Sequence, residues 1–211
     1  TEQGYVHDVY HGTLDDFSAF DLDRADIGIH VGTKEHATNR LLDMASEEGY
    51  KDYFIPGTVG HGIGRLNRRF DQGARIMPLK ARMTNTLELS DVGEWKNSFF
   101  VIDELRMHPK FQDKLPELNE LWRYAEEAPK SYSLRMWKSS PENRKILDSL
   151  NTIIKEKGFD SIKYINRHEK NIIRSQGDPY SYIILDPKDL RSVHAKFDPA
   201  KAGSADLLSG I

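Results

Sequence analysis

Two short segments near the start, Val9-Tyr10-His11-Gly12-Thr13 and Gly28-Ile29-His30-Val31-Gly32-Thr33, constrain this chain more than any other part of it. Each sets one histidine in a β-prone stretch bounded by glycine. Val9 to His11 reads as a short strand that stops at Gly12, where a residue without Cβ lets the backbone approach a ligand. In the second segment Ile29 and Val31 share one side of a period of two, and His30 points to the other side between two glycines. A lone histidine on a strand is more often a packing or surface residue than a catalyst. The same pattern in two adjacent candidate strands points instead to a narrow cleft walled by two imidazoles.

The bulk numbers narrow the chemistry. With 211 residues, 38% hydrophobic and 30% charged, the chain fits one domain of ordinary size with a sizeable core. Its mean hydropathy is -0.64, and no window approaches the roughly 18 apolar residues of a membrane helix. No signal peptide is visible in Thr1-Glu2-Gln3-Gly4, and the missing initiator Met reads as a fragment or processed product. The absence of cysteine removes disulfides, thiolate nucleophiles and thiolate zinc sites together. The eight histidines show neither HExxH nor HxH spacing, so no metal is expected. A net charge of -3 gives no global drive toward nucleic acid.

Along the chain, Phe17 and Phe20 suit a short helix or turn that buries two rings, and Asp21 to Asp26 reads as a charged loop feeding the His30 strand. Thr33 has the place of an N-cap for a helix with Ala37, Leu41, Leu42 and Ala45 on one face, closed by Gly49. Residues 51 to 75 form a glycine-rich loop with Arg65, Arg68, Arg69 and Arg75, suited to phosphates but lacking the ending of a P-loop. Arg75 to Leu89 reads as two strand segments joined at a kink or turn at Thr84-Asn85-Thr86. Asn97 to Leu105 and Leu115 to Ala125 read as amphipathic helices, with Trp122 and Tyr124 as packing residues, and Ser131 to Trp137 as a strand or loop. The clearest helix opens with Ser140 as cap and Pro141 in the first turn, buries Ile146, Leu147, Leu150, Ile153 and Ile154, and ends at Gly158. Phe159 to Ile165 and Tyr180 to Leu185 read as strands, Asp186 to Leu190 as a turn into a short helix, and Val193 as the start of an edge strand. Residues 197 to 211 read as a tail with little to bury.

The order of these pieces resembles the ADP-ribosyltransferase superfamily. The segments that carry the resemblance are the aromatic-His-Gly-Thr strand, the Gly-Ile-His-Val-Gly-Thr strand leading into a helix, and the late strand Tyr180-Ser181-Tyr182-Ile183-Ile184-Leu185-Asp186. They are most similar to the branch with a His-Tyr-Glu triad, and within it to domains of phage and mobile-element polyvalent proteins. Arg75 to Trp95 and the ending Phe197-Asp198-Pro199 look like those domains too. The resemblance covers about 9 to 96 and 158 to 199. It implies an α+β fold with a split β-sheet core, a single domain over 1 to 196, and a helical insertion at about 97 to 157.

Carried over residue by residue, the resemblance implies NAD as the substrate. His11 would hold the ribose hydroxyls, Gly12 would pair through its backbone with the nicotinamide amide, and Thr13 would lie beside the dinucleotide, with Gly28 at the close approach. His30 falls where a tyrosine usually stacks on the nicotinamide ring. Ser181 falls where a catalytic glutamate is expected and supplies no charge, which leaves Glu169 as the first substitute and Asp178 as the second. The implied activity is mono-ADP-ribosyl transfer to a host protein or nucleic acid in the host cytoplasm, with delivery by a virion as one route and with no membrane and no metal involved. Two other readings remain open. One is a nucleotide-binding module that lost catalysis with Ser181; the other is an enzyme resembling the RNA 2′-phosphotransferases, with Arg65, Arg68 and Arg69 lining its phosphate site.

Overall fold

A computed structural model describes residues 4–15, 17–47, 75–128, 133–166, 179–195 and 203–208. The described residues form an α+β fold with two sheets and five α-helices. The strands are β1 (His7–Thr13), β2 (Ile29–Val31), β3 (Arg75–Ala81), β4 (Thr86–Glu88), β5 (Ser161–Ile165), β6 (Tyr180–Ile184) and β7 (Leu190–Ser192). The helices are α1 (Lys34–Glu47), α2 (Ser98–Met107), α3 (Leu115–Glu127), α4 (Leu134–Lys138) and α5 (Pro141–Glu156).

One sheet has the order β1-β3-β7 and is antiparallel throughout; the other has the order β2-β6-β5-β4, with β4 and β5 parallel. Among the described residues the two meet at a bridge between Tyr10 and Gly32, where each residue's N–H donates to the other's carbonyl, at 2.9 and 3.0 Å. The bridge adjoins both site histidines, since Tyr10 precedes His11 and Gly32 lies two residues past His30.

Period-two alternation sorts the side chains of the second sheet. Ile183 packs into the core under the helices, whereas Ile184, Ile29 and Val31 pack with Val9 and Leu79 into a second core against the first sheet. The sheet is therefore sandwiched, with α2, α3 and α5 on one face. The buried stripe of α5 is Ile146, Leu147, Leu150, Ile153 and Ile154, as its spacing requires. Ser140 caps that helix by accepting from the Asn143 N–H, and Gly158 leaves it at φ +85°, where a residue without Cβ is favoured. Thr33 likewise caps α1, accepting from the His36 N–H at 3.2 Å.

Several local expectations need correcting. β1 does not stop at Gly12 but runs through it to Thr13. A Cβ on Gly12 would stand 2.2 Å from the Ala37 carbonyl oxygen, so this glycine admits helix α1 as well as bordering the cleft. Gly28 has the same kind of reason, because a Cβ there would meet the Ile184 carbonyl oxygen at 2.6 Å. Residues 134 to 138 form a short helix rather than a strand or loop, capped by Ser133 accepting from the Met136 N–H. Phe17 and Phe20 pack against each other at 5.0 Å without forming a helix. Tyr124 is 43% exposed and does not pack as Trp122 does. Val193 is exposed and follows β7 rather than beginning it. In the stretch read as having little to bury, Leu207 is 1% exposed within the second core, and its backbone bonds to Ser18 and Ser192. Gly49, the expected end of α1, lies outside the described residues, as does most of the loop from 51 to 75.

Candidate functional site

Where the two sheets diverge beside their bridge, a cleft of about 1070 Å³ opens. It is lined by His11, Gly12 and Thr13 of β1, by Asp26, Gly28 and His30 around β2, and by Ser181 of β6. The six site residues expected from the sequence that fall within the described part, His11, Gly12, Thr13, Gly28, His30 and Ser181, all line this cleft. Glu169 and Asp178 lie outside the described residues, as do Arg65, Arg68 and Arg69.

His11 is held in one tautomer. Its Nδ1 stands 2.7 Å from the backbone carbonyl oxygen of His30. A carbonyl can only accept, so Nδ1 carries the proton and donates. Burial lowers the ring's pKa from the ordinary 6.5 to about 4, and the nearby charges of His30 and Arg40 push the same way against the backbone hydrogen bond. At neutral pH the ring is therefore uncharged, with a lone pair on Nε2. Phe20 at 4.9 Å and Phe17 at 6.3 Å, both edge-on, fix the plane of the imidazole.

His30 projects to the opposite face of the sheet from Ile29 and Val31. Its Nδ1 stands 3.0 Å from the Tyr164 hydroxyl, and its Nε2 stands 3.2 Å from Asp26 Oδ2. Trp95 and Tyr164 lie edge-on to it at 6.3 and 6.1 Å, so the imidazole belongs to an aromatic wall. For Asp26 burial raises the carboxyl pKa, but the hydrogen bond and charge of His30 and the charges of Arg40 and Lys96 outweigh it. The net result is a carboxylate held below its ordinary range.

Ser181 is 3% exposed, and its hydroxyl is enclosed. Asn166 Nδ2 donates to Ser181 Oγ at 2.9 Å, and His36 Nδ1 lies 3.0 Å from the same oxygen. Gly32 leaves room for this cluster, since a Cβ there would come within 3.0 Å of both Ser181 Oγ and His36 Nδ1. The position where an acid was expected is thus a hydroxyl held in a polar network.

Among the described residues the acid that meets a site histidine is Asp26, which lies in the stretch expected to be a connecting loop. Of the other acids that line the cleft, Asp15 pairs with Arg24, Glu94 pairs with Lys138, and Asp21 and Asp91 accept from the backbone N–H groups of Asp23 and Gly93. The spacing of Asp26 and His30 by four residues is a weak signal, because outside a helix such spacing does not bring side chains together. The loop is shaped from afar. Arg144 Nη1 on α5 donates to the carbonyls of Leu22, Ala25 and Asp26 at 3.0, 2.7 and 2.9 Å, and Asn151 Nδ2 donates to that of Ile27 at 2.8 Å. Tyr164, Trp95, Asn166, His36 and Arg40 are further cleft residues not singled out from the sequence.

Among the described residues no group of three or more His, Asp or Glu is arranged to hold a metal ion, and no helix is long and apolar enough to cross a membrane. The cleft combines a neutral hydrogen-bond acceptor, an aromatic wall and an ionised carboxylate, a set suited to a polar ligand that carries an aromatic ring and develops positive charge. No family model matches the chain, and neither does any curated protein or solved structure.

Proposed function

We propose that the chain is a mono-ADP-ribosyltransferase that takes NAD into the cleft between the two sheets, releases nicotinamide, and passes ADP-ribose to a host protein or nucleic acid. The observation that supports this reading best is His11. Its Nδ1–H is committed to the His30 carbonyl and its ring is neutral, so Nε2 is an acceptor for a ribose hydroxyl. His30, edge-on to the paired rings of Trp95 and Tyr164, is the wall for the nicotinamide ring. The cleft volume of about 1070 Å³ is ample for a dinucleotide.

The chemistry asks little of the protein beyond positioning and charge. Breaking the bond between nicotinamide and ribose sends the electron pair to the pyridine nitrogen and leaves positive charge on the sugar. Fixed dipoles and a carboxylate in a site partly closed to water stabilise that charge. Incubation with labelled NAD and host lysate tests the proposal. Label in a macromolecule, or hydrolysis of NAD in its absence, supports it; neither product from wild-type protein refutes it.

A second reading, a nucleotide-binding module without turnover, is favoured by one observation. The hydroxyl of Ser181, at the position of the expected glutamate, is occupied by Asn166 and His36. Calorimetry that finds NAD bound but no nicotinamide released selects this reading.

A further inference from the structure

Resting on the transferase reading, we propose that Asp26 is the catalytic carboxylate of this cleft, doing the work expected of an acid at position 181 and assigned from the sequence to Glu169. Three observations converge on it. Asp26 lines the same cleft as His11 and His30, and its Oδ2 stands 3.2 Å from His30 Nε2. Its backbone is clamped from α5 by Arg144 and, one residue on, by Asn151, so the carboxylate is presented from a braced turn rather than a free loop. Position 181 holds a buried hydroxyl already engaged on two sides.

The remaining charges around Asp26 fit the role. Arg40 and Lys96 border the cleft and favour its ionised form, so the carboxylate enters the reaction already charged and needs no deprotonation. Pre-formed negative charge aimed at a developing cation costs no reorganisation during the reaction. The C–N bond to nicotinamide breaks, its electron pair leaves with the neutral base, and the ribose carbon becomes cationic beside the carboxylate. An acceptor hydroxyl or water then forms the new C–O bond, and its proton passes to solvent. His30 stands between Asp26 and Tyr164, with Nε2 3.2 Å from Asp26 Oδ2 and Nδ1 3.0 Å from the Tyr164 hydroxyl.

This assignment and the transferase reading fail in different ways. The test measures nicotinamide release and NAD affinity for wild type, Asp26→Asn, Asp26→Ala and Glu169→Gln, with formate added to the alanine variant. The expected result is a fall in kcat of about 100-fold for Asp26→Asn, NAD affinity within about 3-fold of wild type, and partial recovery of Asp26→Ala by formate, which can occupy the vacated space as a free carboxylate. A merely structural role would lower binding and turnover together and would give no recovery, and that pattern overturns the assignment. Wild-type turnover in Asp26→Asn, with turnover lost in Glu169→Gln, overturns it alone and leaves the transferase reading standing. A wild-type protein that releases no nicotinamide overturns both.

Discussion

Arg144 donates to the backbone carbonyl of Asp26 across a sequence separation of 118 residues, at 2.9 Å. The helices between β4 and β5 are therefore part of the site's construction, since α5 fixes the turn on which Asp26 is carried. The same guanidinium is oriented by Asp148, which accepts from its Nε at 3.0 Å and its Nη2 at 2.6 Å.

Removing that guanidinium leaves three carbonyls of the 22–26 turn without this donor. Arg144→Ala is expected to cost about 2–4 kcal/mol of stability, because hydrogen bonds from a charged donor are worth more than neutral ones. Urea denaturation measures it. Arg144→Lys should recover only part of the loss, since one ammonium does not reproduce the fork of the guanidinium. Equal stability of Arg144→Ala and wild type would mean that the turn holds itself.

Burial of His11 predicts a pH dependence with a definite sign. The folded-state pKa of about 4 lies below the ordinary 6.5, so between these values the unfolded chain binds more protons than the folded one. Stability therefore falls as the pH drops through that window, by about 3 kcal/mol at most, and His11 adds no further slope below it. Comparing denaturation curves of wild type and His11→Asn isolates the contribution: the difference in stability between them should change across this window and stay flat above pH 7. Asp26 acts at lower pH, since its carboxyl is held below the ordinary carboxylate range.

Ser181 separates a structural role from a catalytic one. Ser181→Ala removes a partner from both Asn166 Nδ2 and His36 Nδ1 and should destabilise by about 1–3 kcal/mol. Ser181→Glu should destabilise more, because a longer charged chain must enter a space that is 3% exposed and crowded by Gly32 and His36. A glutamate variant that folds as well as wild type and turns over NAD faster would restore position 181 as the place for the acid.

What the sequence made legible was local. The alternation of Ile29, His30 and Val31, the caps at Thr33 and Ser140, and the stripe of α5 each depend on neighbours a few residues away, and each is present in the fold. The pairing of His11 with His30 was legible only as a repeated pattern; the bridge from Tyr10 to Gly32 that makes it a geometry is a long-range event. Gly12 and Gly28 were read toward a ligand, whereas their nearest neighbours are helix α1 and strand β6, which no local pattern reveals. Asp26 was hidden for the same reason. A charged turn of six residues looks solvated until Arg144 and Asn151 arrive from the far side of the chain.

In the proposed complex NAD occupies the cleft between His11 and His30. Histidine-ring NMR signals followed during an NAD titration test it most directly, with His7, His108 and His194 as internal controls outside the cleft. The expected result is saturable displacement of the His11 and His30 signals with the three controls unmoved. No displacement at millimolar NAD, or an equal small drift of all five, would contradict it.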